Sequence, residues 1–536
     1  MQVTSLPSLN SGGTWGYNER RFEIVNPTSD SHEVALSITA PGYGVRSEVH
    51  VNRKFVSPAR STIEVAVDEP IIGWAPPREV RISVDGRTRE GKLTLPGGGS
   101  GRPATQILFS RSFVDTKLRA DITARGYQPN MFEFTRTDVP PQQWSTNWLA
   151  YTAYSAIGMT PTDWNEMPAA AQIAVLRWVR AGGLLLVTGG SITPTDAQLL
   201  QATEHFTKSG EGFGTIINVP GSLDAAPETL FNQIIVSCER HNGLIRTEES
   251  PINAMPLLGQ SKVPVGVMFA LLLTFALVGG PVTLFWLAKR DRRLWIFWTL
   301  PAFATITSGI LIATSLFGEG WQRIYRAASI TYLDENSAEA TTLGICGVYC
   351  TLPPDGDIRF SSETQILPYD HSERVQELDA NDGQRLLSGW VDSRVSTYFA
   401  LRKNEHRRER LSLTQERGAI GAVNGFGSRI VQLWVADAAG KIYEAGIVEP
   451  GAHVTLKQTA SQTTRPDVDL LAGPPESWAT WGERLRTDPH QMLRPGMYIA
   501  VLQSSPFVEN ALEKPLAQST PGVVLGIAKW STRDAF

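Results

Sequence analysis

Cysteine is scarce in this chain of 536 residues. Cys238, Cys346 and Cys350 are too few for a disulfide framework, and no CxxC pair offers a zinc site. An excess of charge of one sign is lacking too. Lys and Arg number 49 against 53 Asp and Glu, a net charge of −4, which gives no general attraction for nucleic acid. The 8 histidines are scattered, without HExxH or EF-hand spacing, so neither a metal nor a cofactor is implied. Charged residues make up only 19% and hydrophobic ones 42%, which excludes disordered and collagen-like classes. At about 100–200 residues per domain, a chain of this length divides into several.

What is present, against a slightly negative mean hydropathy, is a pair of long uncharged runs. Residues 263–287, "VPVGVMFALLLTFALVGGPVTLFWL", reach about 37 Å as a helix, more than the roughly 30 Å hydrocarbon core of a bilayer. Residues 294–317, "LWIFWTLPAFATITSGILIATSLF", are long enough as well. Between them, 288–293 carries Lys289, Arg290, Arg292 and Arg293 against Asp291, and a short loop this basic stays in the cytoplasm. The pattern predicts a transmembrane hairpin whose flanking soluble regions both lie outside the cytoplasm. Trp286, Trp295, Trp298 and Trp321 stand near the span ends as interfacial anchors, while Gly279, Gly280, Pro281 and Pro301 predict kinks or close packing. Neither span holds an ionisable residue, so a two-helix channel is not expected. The start of the chain shows no basic segment followed by an apolar one, and the topology therefore expects a leader outside this numbering.

Residues 1–97 read as a β-sandwich of immunoglobulin-like type. Phe22-Ile24, Val34-Leu36-Ile38 and Val80-Ile82-Val84 alternate with period two, and Asp85-Gly86 is a hairpin signal. The segment "GGSGRP" at 98–103 is a flexible linker, without the Lys-Ser/Thr ending of a phosphate loop. From 104 to 250 strands alternate with helices: "TQILFS", a helix closing at Gly126, "NMFEFTRTDV", "YSAIGMT", then an amphipathic helix with Ile173, Leu176 and Val179 on one face, "LLLVTGG" and "GTIINVP". This alternation predicts a parallel sheet with right-handed crossovers, a flavodoxin-like layer. Helix "AAQIAVLRWVRAGG" leading into "LLLVTGG", after a turn rich in Thr, Pro and Asp, resembles the class I glutamine amidotransferase-like fold. With the hairpin "GGPVTLFWLAKRDRRLWIFWTLP", the chain resembles a group of bacterial membrane proteins in which a β-sandwich, such a domain, a membrane hairpin and a final β domain follow in order. The resemblance implies an architecture and says little of activity.

An amidotransferase places a nucleophilic cysteine at a sharp strand-to-helix elbow, whereas the turn after "LLLVT" is Gly189-Gly190-Ser191. Cys238 and His241 share a face of helix "LFNQIIVSCERHNG" but lack that elbow, and Ser191 with Asp196 and His205 lacks GxSxG spacing. Ser191 or Thr195 instead caps a following helix. No catalytic residue is therefore assigned. The crevice at the carboxyl ends of "YSAIGMT" and "LLLVTGG" is the candidate ligand site, lined by Thr160, Gly189, Gly190 and Ser191, with unpaired backbone N–H groups open to a ligand.

Residues 325–536 return to strand patterning and predict a second β-sandwich. Cys346 and Cys350 lie four apart in an apparent strand, about 13 Å between Cα atoms, too far for a bond unless Gly347 bends the chain. The basic stretch 401–417 reads as a solvated face, or as a contact for anionic lipid. Trp478 and Trp481 belong to a core or to a membrane-facing edge. Together these features describe a multi-pass protein of the bacterial inner membrane with periplasmic soluble domains. Its expected role is a non-enzymatic binding or assembly module, partnered by the lipid bilayer and other cell-envelope proteins. The alternatives are a divergent amidohydrolase using Ser191 or Cys238 and a transporter accessory subunit.

Overall fold

The computed structural model describes residues 1–9, 15–41, 48–71, 78–88, 93–95, 105–125, 131–194, 198–245, 255–257, 265–290, 295–318, 323–354, 356–369, 374–416, 419–459, 492–515 and 517–532. The linker at 98–103, Gly126, Asp196, Arg292, Arg293, Trp321, Trp478 and Trp481 lie outside them. The architecture is mixed α/β with several β-sheets.

Period-two alternation does what it promises near the start of the chain. Phe22 and Ile24 of strand Tyr17–Asn26 and Val34, Leu36 and Ile38 of strand His32–Pro41 are all fully buried. Asp85 and Gly86, at φ 48° and 75°, turn the chain after strand Arg78–Val84, where both positions need positive φ. These strands do not close a sandwich among themselves, however. Tyr17–Asn26 pairs with Gln2–Ser5 and Ser61–Pro70 in a three-stranded sheet. His32–Pro41, Glu48–Ser57 and Arg78–Val84 join an eight-stranded sheet that also contains Ile358–Phe360, Val375–Asp379 and Gln384–Leu386. Glu48–Ser57 and Val375–Asp379 lie side by side and parallel, with Val375 opposite Glu48 and Asp379 opposite Asn52. One core holds Phe22, Leu36 and Val51 together with Val348, Leu378 and Phe399.

The expected division into one sandwich at 1–97 and another at 325–536 is thereby corrected: the two segments share a sheet and a core. Local patterning announces strands but not their distant partners, and a parallel pair needs no turn that would betray it. The later segment also builds a core of its own. A ten-stranded sheet, centred on Arg323–Asp334 and Glu339–Cys350 paired along their whole length, packs Leu333, Leu433, Tyr498 and Val524 together. Cys346 and Cys350 are free thiols, both buried in this strand pair.

Residues 105–245 form the α/β domain. Its seven strands run in the order Phe132–Arg136, Thr105–Phe109, Ala156–Met159, Leu184–Thr188, Gly214–Val219, Thr207–Glu211, Gln198–Ala202. The first five are parallel, and the last two are an antiparallel addition. No helix follows Ser191 among the described residues; the segment leads instead to the edge strand Gln198–Ala202. Helix Ala169–Arg180 buries Ala171, Ala174, Val175, Trp178 and Val179, while Ile173 is 50% exposed. The apolar stripe is thus turned from the expected Ile173-Leu176-Val179 face, because Trp178 contributes more buried area than any other side chain of the helix and sets the contact.

Apolar helix Val265–Leu277 continues through a π-helical turn, Val278–Val282, into helix Thr283–Lys289. Pro281 has no N–H to give the ladder, which is where such a bulge forms. The stretch Phe269–Lys289 is long and apolar enough to cross a membrane. Helix Ile296–Gly318 packs back on it where Gly279 approaches Leu300. In the turn, the Arg290 guanidinium sits 4.2 Å above the Trp286 ring.

Candidate functional site

In an open parallel sheet ligands gather at the carboxyl ends of the strands, beside the point where strand order reverses. Here the reversal falls between Thr105–Phe109 and Ala156–Met159, which are neighbours although a strand and its crossovers separate them in sequence. Leaving these two strands are Ser110, Arg111 and Ser112 on one side, and on the other Thr160, with Asp163 in the first turn of the helix that follows. The next loop along, after Leu184–Thr188, holds Gly189, Gly190 and Ser191.

Thr160 opens helix Pro161–Glu166 as its cap, and Asp163 closes a capping box with it, a consequence of the Thr-x-x-Asp spacing. One carboxylate oxygen of Asp163 accepts hydrogen bonds from Ser110 Oγ at 2.6 Å, from Thr160 Oγ1 at 2.9 Å and from Ser112 Oγ. Burial pushes the Asp163 pKa up, but the hydroxyls outweigh it and hold the group below its ordinary value. The reversal point is therefore filled by the protein's own carboxylate. A phosphate or another anion entering it would meet that charge.

The structure brings the four expected residues to one end of the sheet. Met159 is level with Val187, so Thr160 and the glycine turn leave the sheet side by side, and a Cβ at Gly190 would lie 2.7 Å from Pro161. The backbone N–H groups of Thr160, Gly189 and Gly190 are not open to a ligand as expected. Gly189 N–H donates to Val219 O and Gly221 O at 3.0 and 3.1 Å, and Gly190 N–H to Val219 O at 3.4 Å. Gly189 needs its φ of 80° for this turn. Asn218 ties down Ile192, accepting from its N–H at 2.9 Å and donating to its carbonyl oxygen at 3.0 Å. Groups facing solvent here are the side chains of Arg111, Ser112 and Ser191. Ser110, Ser112 and Asp163 were missed by sequence reasoning, although the Thr-x-x-Asp spacing and the strand end "ILFS" were signals for them.

Cys238 is not supported as a nucleophile. Cys238 is fully buried and its thiol is pushed up to about 12, first by burial and then by the Glu239 charge. His241 is buried as well and is held neutral, its pKa driven to about 3 by burial and by the Arg402 charge. Its ring lies 6.2 Å from Trp178, and neither nitrogen has a well-aligned partner, although the Gly182 backbone is close. His205 is exposed on the loop to the antiparallel edge.

The opposite end of the sheet is covered. Gly16 packs against the backbone of Ala153, and Tyr17 N–H donates to Thr152 Oγ1 at 3.0 Å. Trp148, 1% exposed, donates to Glu363 O at 3.2 Å. Arg177 grips Glu339 with bonds of 3.1 and 2.8 Å. Arg402 and Lys403, expected on a solvated face, are buried. Arg402 reaches Ala181 O at 3.2 Å and Gln365 Oε1 at 2.6 Å, and burial lowers its pKa to about 9. Lys403 pairs with Glu405 and Glu509.

No family model matches this chain, and no curated protein matches it. Among solved structures, it is similar to the yeast delta-COP-I mu-homology domain complexed with a Dsl1 WxWxV peptide, at 7% identity, 39% of this chain, 97% of that one and a TM-score of 0.19. It is also similar to a calcium-binding mutant of Bacteroides uniformis beta-glucuronidase 2, at 8% identity, 85% of this chain, 60% of that one and a TM-score of 0.12. At these TM-scores neither likeness bears on the fold or the function.

Proposed function

We propose that this chain is a membrane-anchored binding or assembly module of the bacterial inner membrane. A flavodoxin-like domain and immunoglobulin-like β layers stand outside the cytoplasm on a two-helix hairpin at 263–317. The observation that carries this reading is the eight-stranded sheet. Strand Glu48–Ser57 precedes the apolar helices and Val375–Asp379 follows them, yet they are neighbours in register. Two strands of one sheet lie on one side of a bilayer, so the chain between them crosses an even number of times. A crossing by Phe269–Lys289 is then matched by a return through Ile296–Gly318, whose 23 residues reach about 34 Å.

Side-chain exposure supports the same reading. Phe269, Phe285, Phe297 and Trp298 are 66%, 76%, 74% and 80% exposed, an apolar surface far beyond what a monomer leaves to water. Lys289 and Arg290 at the turn, with Arg292 and Arg293 beyond them, favour a cytoplasmic turn. A covered amino end and a self-satisfied carboxyl end of the α/β sheet favour assembly over catalysis. Alkaline carbonate extraction of membranes tests the anchor. The full chain is expected to stay in the pellet and a variant with 263–317 replaced by a polar linker to leave it; release of the full chain would overturn the reading.

A further inference from the structure

Both ends of the apolar helices connect to one end of the ten-stranded sheet. After Gly318 the chain enters strand Arg323–Asp334 five residues on, a reach of at most about 18 Å. Before the first helix, Leu257 is buried against Gly347, Ile324, Tyr349 and Tyr398; Tyr398 Oη donates to Met255 O at 2.9 Å and Arg326 to Pro256 O at 2.6 Å. Register places further segments at this same end. Cys350 is opposite Arg323, Ser393 bridges to Cys350, and Arg394 N–H donates to Cys350 O at 2.8 Å. Arg374 is joined to this loop by its ion pair with Asp392 at 2.5 Å.

At this end three apolar side chains are about half exposed: Leu352 at 51%, Val375, at the start of its strand, at 44% and Val395 at 51%. Arg374 and Arg394 stand among them on the surface. Apolar tips with arginines beside them, at the sheet end to which both apolar helices connect, have the chemistry of a surface that meets a bilayer at head-group level. Resting on the membrane reading above, we infer that the segments carrying Leu352, Val375 and Val395 dock on the phospholipid surface, the apolar tips entering the interface with Arg374 and Arg394 beside them at head-group level. The β frame is then seated on the membrane in a fixed orientation, with the turn at Asn336 at the far end of strand Arg323–Asp334, about 36 Å away.

The test uses the full chain in nanodiscs with quencher-labelled lipid and an environment-sensitive thiol dye at one position at a time. The native cysteines are buried, so background labelling is low. Positions are introduced by Leu352→Cys, Val395→Cys, Asn336→Cys and, in the first helix, Leu277→Cys. Quenching at 352 and 395 at least about twofold above that at 336, with 277 quenched most, is the expected result. Strong quenching at 277 with 352 and 395 no different from 336 overturns the docking and leaves the anchor standing. Absence of quenching at 277 overturns both, and the two failures are thereby told apart.

Discussion

The two ends of the seven-stranded sheet are built to opposite rules. At the carboxyl end, a single buried carboxylate is satisfied by hydroxyls on neighbouring loops, the glycine turn spends its N–H groups on backbone oxygens, and the rim faces solvent. At the amino end, charged and aromatic groups from three sheets are taken out of water together. Arg20 and Arg78 share Glu69, all three nearly or fully buried, and Glu19 and Asp68 lie opposite each other across paired strands. A buried ion group is tolerated only when its partners stay in place. The contrast teaches that the covered end fixes the domain in its frame, whereas the open end, where a ligand would be sought by fold analogy, is nearly self-contained.

The largest expected effect therefore lies at the covered end. Glu69→Gln leaves two buried guanidinium groups without their carboxylate and is expected to destabilise by about 3–5 kcal/mol, read as a fall in thermal unfolding midpoint and in folded yield. Trp148→Ala removes a buried indole and its bond to Glu363 O, and a loss of about 3–5 kcal/mol is expected in the same assay. If either variant unfolds no more easily than a surface substitution, the amino end is not the fixed one.

Asp68 sharpens the comparison through pH. Burial, then the Glu19 charge, raise its pKa from 3.8 to about 7, against the pull of Arg53 and the Asn147 bond. Below about pH 4 the carboxyl is protonated folded and unfolded; between about 4 and 7 only the folded form keeps the proton. The stability from this group is thus fully present in acid and is lost as pH rises through about 7. Asp68→Asn is expected to flatten the decline in unfolding free energy between about pH 4 and 7 by about 1–2 kcal/mol, and an unchanged slope would remove Asp68 as its source.

Effects at the open end are expected to be smaller. Asp163→Ala loses a cap and strands the buried Ser110 hydroxyl and the more accessible hydroxyls of Ser112 and Thr160, for about 1–2 kcal/mol. Gly189→Ala meets no neighbour but must hold a φ of 80°, for about 1 kcal/mol. Thermal unfolding of both, beside Glu69→Gln, ranks the two ends directly.

How much of this was legible depended on whether the signal was local. Alternation at Phe22-Ile24 and Val34-Leu36-Ile38, the Asp85-Gly86 turn and the strand-helix alternation from 105 onward are local, and those elements stand where the residues place them. The pairing of Glu48–Ser57 with Val375–Asp379 carries no local mark, so a shared sheet was read as two sandwiches. Arg402 and Lys403 looked like a solvated run because side-chain charge alone does not reveal a partner such as Glu509 or a carbonyl such as Ala181 O. The site was half legible: Thr160, Gly189 and Gly190 were found from strand ends, while Ser110, Ser112 and Asp163 required the strand order that puts the reversal one strand earlier.

The central claim is that one β frame, built from segments before and after the apolar helices, stands on one outer face of the membrane. Cysteines introduced by Asp30→Cys and Asn336→Cys, both at exposed positions, are to be labelled in intact cells with a membrane-impermeant maleimide, before and after permeabilisation. The account predicts that both label fully without permeabilisation. Labelling of one with protection of the other would contradict it, since strands packed into one core do not stand on opposite sides of a bilayer.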